Sequence, residues 1–285
     1  MKQLHKPRRL ISPQSILFAC VLYFIASQFW QTAYAKAIFY QPLNRDSVIT
    51  QIQWDDLLER VYQEGFREIV IQWTRYGSTN FAIKENFLID VLNIAESKKL
   101  KVWLGLYLPD DYYQVMENNK VASPQYFKSV LAQNRKQLSL LEIKSLVNTG
   151  SVAGWYLPLE LTNQYLNRTQ DKNHESVIEL LRDFVSSVDD DIAISYFLSQ
   201  STSFKSAYFD TALLSSMGFD LWIQKSNGIK TQTVANKLIE NMDCKISVIS
   251  EIFEQTSDNN APFKAQKSTS NISQDKRRNQ PIVFQ

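Results

Sequence analysis

Two glutamates are placed where they could do chemistry together. Glu160 and Glu251 each stand just past an apolar run, in Tyr156-Leu157-Pro158-Leu159-Glu160 and in Ser250-Glu251. Carboxylates facing each other over a glycosidic bond can hydrolyse it, one protonating the leaving oxygen and the other attacking the anomeric carbon or activating a water. The separation is about 5–5.5 Å for retention of configuration and roughly 6.5–9.5 Å for inversion. A plainer role also exists, because negative charge is favoured at the start of a helix. Glu254 fits that plainer role better than Glu251, being farther from the apolar run. Asp110 and Asp111 are a third source of carboxylates, in a Pro109-Asp110-Asp111 sequence that also reads as a turn.

Other chemistries lack their residues. The 285 residues include two histidines, His5 and His174, and two cysteines, Cys20 and Cys244. That is too few for a zinc centre, a disulfide framework or a serine nucleophile with a choice of bases. His174, beside Lys172, Asn173 and Glu175, reads as a surface residue. Cys244 has no His or cationic cluster nearby to lower its pKa and reads as a small buried apolar group. The seven glycines form no G-x-G-x-x-G and no G-x-x-x-x-G-K-[ST], so a dinucleotide or P-loop site has no support. Carboxylates, amides, hydroxyls and aromatics must then do the work. Protonating a leaving oxygen needs no cofactor and no metal. A divalent cation on Asp110, Asp111 or the glutamates, as hard oxygen ligands, is a weaker option.

The elements that must position these groups are read from periodicity. Apolar runs at 37–41, 68–74, 101–108, 152–157, 192–197, 219–224, 245–250 and 281–284 give eight strands. Continuous stretches such as Ile69-Val70-Ile71 and Val102-Trp103-Leu104 suit parallel strands covered on both faces. Helical spacing lies between them, as in Trp54, Leu57, Leu58 and Val61, or Val177, Leu180, Leu181, Phe184 and Val188. Thr50 with Gln53 predicts a capping box, Ser123-Pro124 an N-cap followed by proline, and Gly65 and Gly218 helix C-caps. Eight strands alternating with helices predict an α/β fold, a (β/α)8 TIM barrel, over residues 36–255. Residues 256–280 are polar and read as a disordered connection, and 281–285 as a final strand with no helix after it, so the last β/α repeat is incomplete.

In such a barrel, ligands sit at the C-terminal ends of the strands. There this sequence gathers Gln41, Gln72, Trp73, Arg75, Tyr76, Tyr107, Tyr156, Tyr196 and Gln224, with Tyr112-Tyr113 following the Asp110-Asp111 turn. Aromatic faces stack on sugar rings, while amides and carboxylates pair with hydroxyls, so these nine are the expected substrate-binding residues. Any one ring can be accounted for as packing. It is their co-location that points to a carbohydrate.

Residues 1–35 have the three parts of a secretory signal: Lys2, Lys6, Arg8 and Arg9 without an acid, an apolar run from Ile16 to Trp30, and Ala33-Tyr34-Ala35 with cleavage expected after Ala35. An uncleaved anchor is the rival reading, since the run is a little shorter than the roughly 20 residues of a spanning helix. Either implies export to the periplasm or medium, with membrane contact only through the leader. Removing the leader lowers Lys+Arg from 31 to 27 against 29 Asp+Glu, which takes the net charge from +2 to −2. A nucleic-acid partner is not expected of such a surface, which lacks a basic footprint.

Four blocks carry a resemblance. Phe39-Tyr40-Gln41-Pro42, Val70-Ile71-Gln72-Trp73-Thr74-Arg75-Tyr76-Gly77, Gly154-Trp155-Tyr156-Leu157-Pro158-Leu159-Glu160-Leu161 and Glu251-Ile252-Phe253-Glu254-Gln255 resemble an uncharacterised bacterial domain-of-unknown-function family, over about residues 38–255. The resemblance implies a TIM-barrel, glycoside-hydrolase-like fold and a carbohydrate-related role. The family pattern has an acid after the strand-six Gln, where this chain has Lys225-Ser226-Asn227. Barrel glycosidases commonly have Asn before the strand-four acid, where this chain has Leu159. The expected function is hydrolysis of a polysaccharide or oligosaccharide, with Glu160 as general acid/base and Glu251 as nucleophile or base. The alternative is a non-catalytic glycan-binding or polysaccharide-assembly protein of the cell envelope using the same cleft.

Overall fold

The computed structural model describes residues 36–83, 87–118, 123–143, 150–166, 172–225, 229–242, 246–251, 253–255, 265–267 and 281–284. The leader predicted over 1–35 lies outside the described residues, as do Cys244 and most of 256–280.

Eight parallel strands form a closed barrel: β1 (Lys36–Tyr40), β2 (Phe66–Ile71), β3 (Lys101–Gly105), β4 (Val152–Leu161), β5 (Ile192–Leu198), β6 (Phe219–Lys225), β7 (Ile246–Glu251) and β8 (Pro281–Phe284). Neighbours in sequence are neighbours in space from β1 to β8. The ring is closed by β8, which pairs with β7 at Ile249↔Ile282 and with β1 at Ala37↔Ile282. The eight expected strands are therefore the eight barrel strands. Between β7 and β8 the described residues carry no helix but an antiparallel pair, Phe253–Gln255 with Ala265–Lys267. The polar connection thus holds a short strand of its own.

The helices are α1 (Gln51–Gln63), α2 (Phe87–Ser97), α3 (Tyr112–Asn118), α4 (Pro124–Ile143), α5 (Asn163–Leu166), α6 (Lys172–Val185), α7 (Phe204–Ser216) and α8 (Ile229–Asn241). Their starts follow the predicted chemistry. The Thr50 amide donates to Gln53 Oε1 at 2.9 Å while the Gln53 amide donates back to Thr50 Oγ1 at 3.3 Å, and the Tyr126 amide donates to Ser123 Oγ at 3.2 Å. Gly65 and Gly218 stand after α1 and α7 with φ of +90° and +104°, the left-handed geometry that glycine adopts without strain.

Alternation along the strands builds two cores. Phe39, Val70, Trp103, Tyr156, Trp222 and Ile249 fill the barrel. Their strand neighbours, among them Ile38, Ile71, Leu104, Trp155, Ile194 and Leu221, pack outward against buried helix residues such as Trp54, Leu92, Phe127, Leu181 and Leu238. Not every predicted helix-face residue is buried, and Leu57 remains 37% exposed. Two predicted strands also stop earlier than their apolar runs. Beyond β2 and β3 the chain starts a separate small sheet, Arg75–Tyr76 with Thr79–Asn80 and Tyr107–Leu108.

Candidate active site

Glu160 reaches the C-terminal rim through an irregularity in β4. Leu157 is in register with Ile194, but the next paired residue is Glu160, opposite Ser195, so two extra residues, Pro158 and Leu159, are accommodated on β4. Proline cannot donate to a ladder, which is why it is found at such breaks. The insertion is even, so Glu160 keeps the parity of Tyr156 and shares the inner face with Ser195. Leu159 is fully buried in the outer core. That position faces the helices, so the residue before Glu160 is not at the rim.

Two tyrosines on α3 hold Glu160. Tyr112, fully buried, donates its hydroxyl to the Glu160 carbonyl at 3.0 Å. Tyr113, 41% exposed, donates to Glu160 Oε1 at 3.1 Å. Burial first, and the neighbouring Glu160 charge second, hold the Tyr113 hydroxyl well above the usual tyrosine range, so it stays a donor. Neither tyrosine was among the residues expected to bind substrate. A seven-residue helix is too short for a hydrophobic period to reveal it.

Beneath the carboxylate lies an aromatic floor. Tyr156 stacks on Trp222 at 4.9 Å between ring centres and 19° between planes, and Phe39 meets both edge-on at 5.6 and 5.8 Å. The hydroxyl of Tyr156 is 2.6 Å from Ser195 Oγ, and burial raises its pKa. Side chains fill the barrel here, which leaves the rim, not the interior, as the place where a ligand could be held. Gln72 follows β2 and is 6% exposed, with its Oε1 buried and without a hydrogen-bond partner among the described residues. That atom can accept from a hydroxyl or an amide, a pairing that buried polar groups normally have.

The remaining expected residues divide. Gln41 and Gln224 are half-buried just past β1 and near the end of β6, and Tyr76 is half-buried beside Trp73, 4.8 Å between ring centres. Glu251 is the last residue of β7, at the same barrel end as Glu160, in register with Phe284; its side chain lies outside the described residues. Trp73, 8% exposed, is packed into the outer core and donates Nε1–H to the Pro42 carbonyl at 3.3 Å. Trp73 and Tyr156 are thus structural rings with no face left for a sugar, whereas Tyr76, Tyr107 and Tyr113 are more accessible.

Three further expectations are corrected. Tyr196 has the opposite parity to Ser195, so it is fully buried between sheet and helix and donates to Asp210 Oδ2 on α7 at 2.8 Å. Arg75 lies over the Tyr107 ring at 4.7 Å and donates to Gln133 Oε1 on α4 at 3.1 Å, so its guanidinium is already engaged by Tyr107 and α4. His174 is 2% exposed and belongs to the interior, not the surface. Asp110 and Asp111 are exposed, and Asp111 Oδ1 accepts from the Tyr126 hydroxyl at 3.1 Å. Among the described residues no three His, Cys, Asp or Glu gather as a metal would require.

Comparison with known proteins agrees with this architecture. Residues 35–272 match the family described as Domain of unknown function (DUF4434), and the chain belongs to that family. It is 24% identical over 218 residues to the uncharacterised protein YbcH of Escherichia coli (strain K12), covering 74% of this chain and 72% of that one. A crystal structure from Bacteroides thetaiotaomicron VPI-5482, put forward as an alpha-L-fucosidase, superposes with a TM-score of 0.62 at 14% identity, over 88% of this chain and 85% of that one. A GH18 chitinase from Pseudoalteromonas aurantia gives 0.50 at 12% identity, over 88% and 94%. At these identities the likeness is one of fold. That fold is the (β/α)8 barrel, which this chain shares with both proteins.

Proposed function

We propose that this DUF4434 protein is an exported hydrolase of a polysaccharide or oligosaccharide, working through Glu160 and Glu251 without a cofactor. The observation that carries the reading is Glu160 itself. A β4 carboxylate is lifted to the C-terminal rim, held by a tyrosine hydroxyl at 3.1 Å and set above an aromatic floor, with Glu251 ending β7 at the same end. Strands four and seven lie nearly across the barrel, so their carboxylates suit the two sides of a glycosidic bond. Tyr76 and Tyr113 supply faces for a sugar ring, and Gln72 and Gln224 supply polar partners for hydroxyls. Export rests on the leader, and the mature chain then starts at Lys36.

The test is turnover on a panel of bacterial and plant glycans by the parent, Glu160→Gln and Glu251→Gln. Each substitution is expected to lower kcat by at least about a thousandfold, since each removes a group the chemistry uses. Unchanged turnover in both variants refutes the pair. A second reading, non-catalytic glycan binding, is favoured by one observation: Lys225 ends β6 where the family pattern has an acid. Binding on the same panel without released product identifies that reading.

A further inference from the structure

Resting on the two-carboxylate reading above, we propose that Tyr113 is a positioning residue that holds Glu160 as an oriented carboxylate. Glu160 therefore enters the reaction as the anion, and the proton for the leaving oxygen comes from Glu251. This reverses the division of labour that strand position alone suggests.

The geometry gives the reason. Tyr112 and Tyr113 are consecutive on α3 and grip one residue at two points, the Glu160 carbonyl at 3.0 Å and its Oε1 at 3.1 Å. The first contact fixes the backbone of Glu160 and the second fixes its carboxyl. A hydroxyl donated to a carboxyl group favours the ionised form. Groups facing Glu160 among the described residues include Tyr112 and Tyr113 from α3 and Tyr156 on its own strand, all phenols raised by burial and so neutral donors or bystanders at working pH. Tyr113 is the one of the three that bonds the carboxyl itself.

In the reaction this places each charge. The bond between the anomeric carbon and the leaving oxygen breaks, and that oxygen departs with the proton of Glu251. The electron pair that replaces it at the anomeric carbon comes from Glu160 directly, after which a water that gives its proton to Glu251 displaces Glu160 from that carbon, or it comes from a water whose proton Glu160 takes. Tyr113 donates throughout and exchanges no proton.

The experiment is a carboxyl carbon-13 NMR titration of the full chain labelled at glutamate. The Glu160 resonance is identified by its loss in Glu160→Gln. Tyr113→Phe is expected to raise the Glu160 midpoint by about half a unit to one unit, as loss of one donor to a partly exposed carboxylate should. If Tyr113→Phe fails to fold, 3-fluorotyrosine at position 113 keeps the shape and is a stronger donor, and it is expected to lower the midpoint. The acidic limb of kcat/KM against pH is expected to move with the midpoint, which a purely structural role would not produce. A midpoint that neither change moves, or a Glu160 that titrates near pH 7 in the parent as a proton donor would, overturns the proposal. A midpoint that moves in a protein that cleaves no glycan leaves Tyr113 in its role and refutes the hydrolase reading instead.

Discussion

At the scale of single residues, the barrel carries carboxylates at both ends, in different circumstances. Glu160 at the C-terminal rim is bonded by Tyr113. Glu68, near the start of β2, accepts from Trp103 Nε1–H at 3.1 Å inside the opposite end. Burial raises the pKa of Glu68, and the Asp220 charge adds to that, while the Trp103 bond opposes it. The folded protein therefore binds the Glu68 proton more tightly than the unfolded chain does. Its stabilising contribution is full below the ordinary glutamate pKa and is lost as pH rises through the folded value. Glu68→Gln keeps an acceptor for Trp103 and removes the buried charge. It is expected to raise Tm at pH 7 and to change it little near about pH 4, where glutamate is largely protonated in either state. Thermal unfolding at the two pH values checks this, and a Tm at pH 7 equal to or below the parent's contradicts it.

At the scale of elements, the site depends on how closely β2 and β3 approach above their barrel segments. The Thr74 amide donates to the Gly105 carbonyl at 2.6 Å, and a Cβ at Gly105 would fall against the backbone carbonyls of Gln72 and Ile71. Glycine is required there by space, because a backbone has no rotamer with which to yield. Gly105→Ala is expected to cost more than about 3 kcal/mol or to abolish soluble expression, as overpacking against backbone does. It is also expected to displace Gln72 and the small sheet that carries Tyr76 and Tyr107. Chemical denaturation of the purified variant measures the cost, and a loss under about 1 kcal/mol would mean that the strands separate more easily than this packing implies.

At the scale of the whole molecule, closure rests on four residues. Pro281–Phe284 is the strip between β7 and β1, and without it both neighbours would present unpaired backbone donors and acceptors. Deleting 281–285 is expected to lower both the soluble fraction and Tm, by about 2–4 °C for each kcal/mol lost in a domain of this size. A truncated chain as soluble and as heat-stable as the parent would show that the barrel closes in another way. The DUF4434 barrel so built has Glu160 and Glu251 on strands separated by two others, the arrangement on which the hydrolase reading rests.

Much of this architecture is written in local patterns. Eight apolar runs, helical spacing between them, the Thr50–Gln53 box and the two capping glycines are each properties of a few adjacent residues, and they are enough to specify a (β/α)8 barrel. Glu160 was also legible, as an acid just past a strand. What the sequence did not reveal is which side of the sheet each residue takes. Ile192-Ala193-Ile194-Ser195-Tyr196 belongs to a strand buried on both faces, so no polar alternation marks Ser195 as inward and Tyr196 as outward. Only pairing with β4, where Pro158 and Leu159 interrupt the register, sets that parity and brings Glu160 level with Ser195. The hold of Tyr113 on Glu160 spans 47 positions along the chain and needs the turn after β3 to fold over the end of β4. Contacts of that kind are made by tertiary packing, because no local pattern fixes the distance between the ends of two strands.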